Sequence, residues 1–243
     1  MVNDNTPRAG RGGSVSEIWL AFETSTRLGS VGLWRDGLAF EETLGIQGAH
    51  SEVILPAIQR ALELTDTSRD DIDAIVVGSG PGSFTGVRIA ASLAKGWVMA
   101  RGTPLYAYSS LLAVAAGCGR EGPVCALFDA RRGEVYAACY AFENGVPTNL
   151  MAPAAWRLKD LLAELKQREI NPTFVGEGAG AYQEVIESEG EATILPAHLG
   201  VPRAASLLWL RSAAPGLGQV EKPAEWEPIY VRAWRVTEER GRG

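Results

Sequence analysis

DAIVVGSGPGSFTGVRIAASLAKGWVMA, Asp73 to Ala100, decides how the rest of the chain is read. Residues 74–78 are a short apolar run rich in β-branched side chains and ending in glycine, the pattern of a strand covered on both faces. Four glycines and a proline then fall between Gly78 and Gly86, too many for a regular element. From Thr85 onward, Val87, Ala90, Ala91, Ala94 and Val98 recur at helical spacing. The unit is strand, glycine loop, helix. Such a loop either presents main-chain N–H groups to an anion at a helix N-terminus or makes a tight turn where neighbours crowd the backbone. It is not a P-loop, because no Gly-Lys-Ser/Thr follows. It is not the dinucleotide fingerprint either, because after Gly78 and Gly80 residue 83 is Ser. Ser83 is no nucleophile elbow, since Phe84 is followed by Thr85; it suits a helix cap.

Upstream, residues 17–23, 29–35 and 38–43 read as three strands of a meander, the last two joined by Asp36-Gly37. Ser51 can cap a helix whose Val53, Ile54, Ala57, Ile58, Ala61 and Leu62 make one apolar face, with a kink expected at Pro56. Downstream, residues 103–107 are extended and 109–118 helical, and Gly117, Gly119, Gly122 and Pro123 mark a junction. The plan then repeats: strands at 124–129 and 134–142, an Asn144-Gly145 turn, a weak strand near 148–152, a helix over 156–168, a strand at 173–175 and a helix over 182–188, closed by 192–195 and 204–211. Phe22-Glu23 with Gly29 and Val31 is echoed by Phe128-Asp129 with Gly133 and Val135. The expected architecture is a duplicated α/β fold of two lobes. Residues 17–120 form the first lobe and 121–232 a second, reduced one. Residues 1–16 form a disordered extension and 233–243 a flexible tail.

With 46% hydrophobic and 21% charged residues the chain has the composition of a soluble globular protein. A net charge of -6 argues against a free-standing nucleic-acid binder, which would want a basic face. Cys118, Cys125 and Cys139 form no CxxC pair, so a reducing, cytoplasmic setting is expected, and no apolar run reaches membrane-spanning length. Two histidines, His50 and His198, exclude a helical two-imidazole metal site, because residue 54 is Ile; this removes a metallopeptidase.

Three separated motifs then stand in a known order: GIQGAHSEVILPAI at Gly45 to Ile58, GPGSFTGVRI at Gly80 to Ile89, and DARRGEVYAACY at Asp129 to Tyr140. Together they resemble the TsaB (YeaZ) family, the small partner subunit in bacterial tRNA threonylcarbamoyladenosine biosynthesis, over residues 18–232. The resemblance implies the ribonuclease-H-like, actin/Hsp70/sugar-kinase (ASKHA) fold with mixed sheets flanked by helices. It also implies a cytoplasmic, non-catalytic scaffold in attaching threonylcarbamoyl to N6 of adenosine 37 in tRNAs reading codons that begin with A. The implied partners are a catalytic TsaD-type transferase and a TsaE-type P-loop ATPase, with a homodimer when alone and tRNA met only through the complex. No metal and no catalytic residue is expected.

In nucleotide-using members of that superfamily an aspartate ends the first strand; here it is Glu23, followed by Thr24, while the second turn carries Asp129 and two arginines. A cleft at Glu23, Thr24, Asp129, Gly176 and Gly178 is therefore expected to hold a nucleotide weakly if at all. The segment Gly176 to Gly180 reads equally as an adenosine-lining turn or a flexible loop. The family's helical interface, carried to this chain, takes Ser51, Ile54, Ile58, Phe84, Val87, Arg88, Ala91 and Ala94. The small-residue stripe on the second helix also reads as internal packing against a sheet. The alternative function is a stand-alone ATPase or small-molecule kinase using Glu23 and Asp129 to organise magnesium.

Overall fold

The computed structural model describes residues 16–45 and 50–231. The expected N-terminal extension, apart from its last residue, and the expected tail lie outside the described residues. Three antiparallel strands open the chain, β1 (Ile18–Glu23), β2 (Leu28–Arg35) and β3 (Leu38–Gly45). Then come α1 (His50–Leu64), β4 (Ala74–Gly78), α2 (Phe84–Arg101), β5 (Leu105–Tyr108) and α3 (Ser110–Gly117). The second half supplies β6 (Gly122–Arg131), β7 (Glu134–Glu143), β8 (Val146–Arg157), α4 (Leu158–Gln167), β9 (Thr173–Val175), α5 (Glu177–Ala181), α6 (Gln183–Ser188), β10 (Thr193–Ile194) and α7 (Ala204–Ala213).

The strands form two five-stranded sheets, β3-β2-β1-β4-β5 and β8-β7-β6-β9-β10. Both place a three-stranded antiparallel meander beside two parallel strands, so the second sheet repeats the first strand for strand. Its parallel strands are short, three and two residues.

Alternation along the central strands assigns each sheet two buried faces. Leu20, Phe22, Ile75 and Val77 point to an outer layer made by α1 and α2. On the second sheet, Cys125, Leu127, Val135, Ala137 and Cys139 point to an outer layer containing α4, α5 and α6. Between the sheets, Trp19, Ala21 and Val76 share one continuous core with Val124, Ala126, Phe128 and Tyr140, filled by α3 and α7. These two helices are exchanged: α3, from the first half, packs on β6 and β7, and α7, from the end of the chain, packs on β1 to β4. They meet where a Cβ on Gly117 would come 2.6 Å from Ser206 Oγ, so glycine is what permits the crossing. First-sheet side chains hold the start of α7: Ala204 N–H donates to Ser30 Oγ at 3.1 Å and Ala205 N–H to Glu41 Oε1 at 2.9 Å, and Arg203 pairs with Glu41. An acid is favoured at that helix end.

Several local expectations change. Strand β8 runs twelve residues, through Trp156, which pairs with Val135 in the sheet; the helix expected from 156 begins at Leu158. Helix α1 starts at His50 and is continuous through Pro56, whose missing N–H leaves one carbonyl of the first turns without its helical partner. The stretch 176–180 is neither a flexible loop nor an open turn, because α5 forms there against β6. Among the described residues no helix is long and apolar enough to cross a membrane.

Candidate functional site

The glycine loop between β4 and α2 is tied down by its own amides. Ser79 N–H donates to Tyr108 O at 2.7 Å, Gly80 N–H to Ser110 Oγ at 3.1 Å and Ser83 N–H to Ser25 O at 2.6 Å. Gly86 N–H donates to Ser83 Oγ at 3.3 Å, which makes Ser83 the N-cap of α2. A Cβ on Gly82 would stand 2.2 Å from Ser25 O. The glycines therefore serve close approach between three segments, and these N–H groups already have partners inside the fold.

Glu23 lies behind this loop with no solvent exposure. Its Oε1 accepts from Ser25 N–H at 2.6 Å and its Oε2 from Ser110 Oγ at 2.8 Å. The carboxylate rests so close to Gly78 that a Cβ there would fall 1.7 Å from Oε2. Burial pushes its pKa up, and the hydrogen bonds from Ser25 and Ser110 pull it back. Thr24 is equally buried and donates to Gly86 O at 2.7 Å. The extra methylene of glutamate carries the acid into the protein, and both Glu23 and Thr24, expected at a nucleotide cleft, are buried among internal partners.

In the second half, Asp129 is exposed, and its Oδ1 accepts from Arg131 N–H at 2.7 Å and from Tyr182 Oη at 3.0 Å. Burial raises the Glu177 pKa, Asp129 nearby raises it further and Arg27 opposes both. Gly176 and Gly178 are packing glycines: a Cβ on Gly176 would lie 2.1 Å from Leu127 O, and on Gly178 3.0 Å from the Phe128 carbonyl carbon. They allow α5 to lie on β6.

A cleft of about 1410 Å³ opens between the two halves, lined by none of those five residues. One wall is the start of α2, with Pro81, Gly82, Phe84 and Val87, together with Ile229, Tyr230 and Val231. That C-terminal segment is strapped to the first half: Val220 N–H bonds to Leu105 O and Ile229 N–H to Ser79 O. Phe84 and Tyr230 rings stand 5.9 Å apart, and the Arg88 guanidinium lies 3.8 Å from the Phe84 centroid. The opposite wall carries Arg132 in the β6–β7 turn, Tyr136, Arg157 and Lys159 at the start of α4, and Tyr182. Sequence reasoning passed over Arg157 and Lys159; a cation pair at a helix start, where an acid is favoured, was the available signal.

The expected helical interface divides by depth. Ile54, Ile58, Val87, Ala91 and Ala94 are buried within the chain itself; Ile54, Ile58 and Ala94 pack in the core against the first sheet, and Val87 lies on the cleft wall. Phe84 and Arg88 are exposed, as is Leu55 on α1, while the side chain of Ser51 lies outside the described residues. No group of three His, Cys, Asp or Glu side chains converges as a metal site among the described residues.

Comparison with known proteins places this geometry. Residues 45–230 match the family model described as TsaD: tRNA N6-adenosine threonylcarbamoyltransferase. A relative from Escherichia coli K12, the tRNA threonylcarbamoyladenosine biosynthesis protein TsaB, is 32% identical over 223 residues, covering 89% of this chain and 96% of the relative. Its Bacillus subtilis counterpart is 34% identical over 171 residues, 69% of this chain and 74% of that one. A crystal structure from Pseudomonas aeruginosa, described as similar to the peptidase YEAZ, superimposes with a TM-score of 0.78 at 31% identity, over 89% of this chain and all of that one.

Proposed function

The chain belongs to the TsaB family of tRNA threonylcarbamoyladenosine biosynthesis proteins, and we propose that it serves there as a non-catalytic scaffold subunit. The partners in this reading are a TsaD-type transferase, which performs the chemistry on adenosine 37, and a TsaE-type P-loop ATPase. The chain forms a homodimer when alone and meets tRNA within the complex. The observation that carries the scaffold reading is Glu23: both carboxylate oxygens are bonded inside the fold, against Gly78 and Ser110. A kinase or ATPase of this architecture needs that acid facing the cleft.

Docking is proposed on the outer side of α1 and α2, through Leu55, Phe84 and Arg88. Ile54, Ile58, Val87, Ala91 and Ala94 form the packed layer beneath and fix the two helices. Light scattering coupled to size exclusion tests this, on the chain alone and mixed with the catalytic subunit. Wild type is expected to form a 1:1 complex and Leu55→Glu to abolish it without loss of fold. A wild-type chain that stays monomeric in both conditions overturns the interface. Transfer of threonylcarbamoyl to tRNA by the isolated chain overturns the non-catalytic role.

A further inference from the structure

The inter-lobe cleft has a wall whose charge the fold does not explain. Arg132, Arg157 and Lys159 line it, all exposed, and no ion pair or side-chain hydrogen bond to any of the three occurs among the described residues. Arg157 occupies the N-cap of α4 without a side-chain capping bond, and Lys159 stands in the first turn, both at the helix end where positive charge is disfavoured. Arg132 sits at a left-handed φ of 58°, a conformation that favours glycine or asparagine. The acids on the same wall do have local roles: Asp160 stands in the first turn of α4, where a carboxylate is favoured, and Glu134 is engaged within the protein. Aromatic rings complete the cleft, Tyr136 and Tyr182 beside the cations and Phe84 and Tyr230 opposite. Cations without a partner among the described residues, beside the half-buried Tyr182 ring, match a ligand that repeats phosphate and flat base.

We infer that this cleft takes nucleoside phosphates presented as a single-stranded RNA segment, Arg132, Arg157 and Lys159 meeting phosphates and the Tyr182 ring meeting a base. The identity of the RNA rests on the tRNA role proposed above. On a chain of net charge -6 the contact is weak and salt-sensitive, and it supplements what a partner supplies.

The test is fluorescence anisotropy of the full chain with a labelled, unpaired oligoribonucleotide. Three phosphate contacts on a single strand predict a loss of affinity of roughly 20-fold between about 50 mM and about 200 mM salt. Arg132→Ala, Arg157→Ala and Lys159→Ala should each lower the salt slope by about 0.7 while leaving the thermal melt unchanged. Tyr182→Leu should weaken binding by roughly 5-fold or more and Tyr182→Phe should not. Affinity unchanged in all three cation variants overturns the inference, as does displacement of the oligomer by polyglutamate at equal charge. Competition by free AMP at the oligomer's own affinity assigns the site to a free nucleotide and overturns the strand. If wild type binds no RNA yet forms the 1:1 complex, the cleft inference alone fails; if it binds RNA and forms no complex, the scaffold reading alone fails.

Discussion

Glu23 is buried with a raised pKa, and the folded protein therefore keeps its proton to higher pH than the unfolded chain does. The stability it contributes is complete below the ordinary value of 4.5 and is lost as pH rises through the raised one. Glu23→Gln keeps an acceptor for Ser25 N–H and places a donor toward Ser110. Its melting temperature should gain on wild type from acid to neutral pH, and a constant difference across that range would contradict the assignment. Gly78→Ala collides with the same carboxylate, so combined with Glu23→Ala it should be less damaging than the sum of the single changes by about 1–3 kcal/mol, measured in urea. Gly176→Ala drives a methyl into the Leu127 carbonyl and should lose at least ~2 kcal/mol. The echo of Phe22-Glu23 in Phe128-Asp129 was legible in sequence, because two strand ends share a pattern. That Glu23 turns inward while Asp129 faces solvent was not, because direction is set by Ser110 from a helix 87 residues away.

Helices α1 and α2 show what periodicity reveals and what it leaves out. The apolar spacing correctly marks Ile54, Ala57, Ile58, Ala90 and Ala94 as buried. It does not say whether the covering surface belongs to the same chain, and here it is the chain's own first sheet. Val87→Glu should therefore unfold or strongly destabilise the protein, whereas Leu55→Glu, at a side chain 52% exposed, should stay within about 0.5 kcal/mol of wild type. Denaturation curves of the two variants separate core from surface. Pro56→Ala restores a helical hydrogen bond in α1 and should raise stability by about 1–3 kcal/mol. Helix α5 escaped sequence reading because its GAG core has poor helix propensity, and packing on β6 overrides that deficit. The length of β8 escaped for a related reason: pairing with β7 carries the strand past Pro153 to Arg157, where local preference alone would end it.

At the scale of the whole molecule, the strand order of each half follows from the repeated pattern, but the exchange of α3 and α7 does not. A helical repeat shows that a face is buried without naming the sheet that buries it. Because the central core holds residues of both sheets, the chain should unfold in one transition seen alike by tryptophan fluorescence and circular dichroism. Residues 17–120 expressed alone should remain unfolded, with Trp19, Ala21 and Val76 uncovered, and should gain native circular dichroism when mixed with residues 121–231. Independent folding of the first fragment would show that α7 is dispensable to it. The exchange also orders events on the ribosome. The first sheet is synthesised early, yet its inner face is covered only when Ala204 to Ala213 emerges from the exit tunnel. At ~5–20 residues per second the nascent first half waits on the order of ten seconds with an open apolar surface. That interval makes this half a client for ribosome-bound chaperones, and a stop codon placed before α7 should send the product to proteolysis.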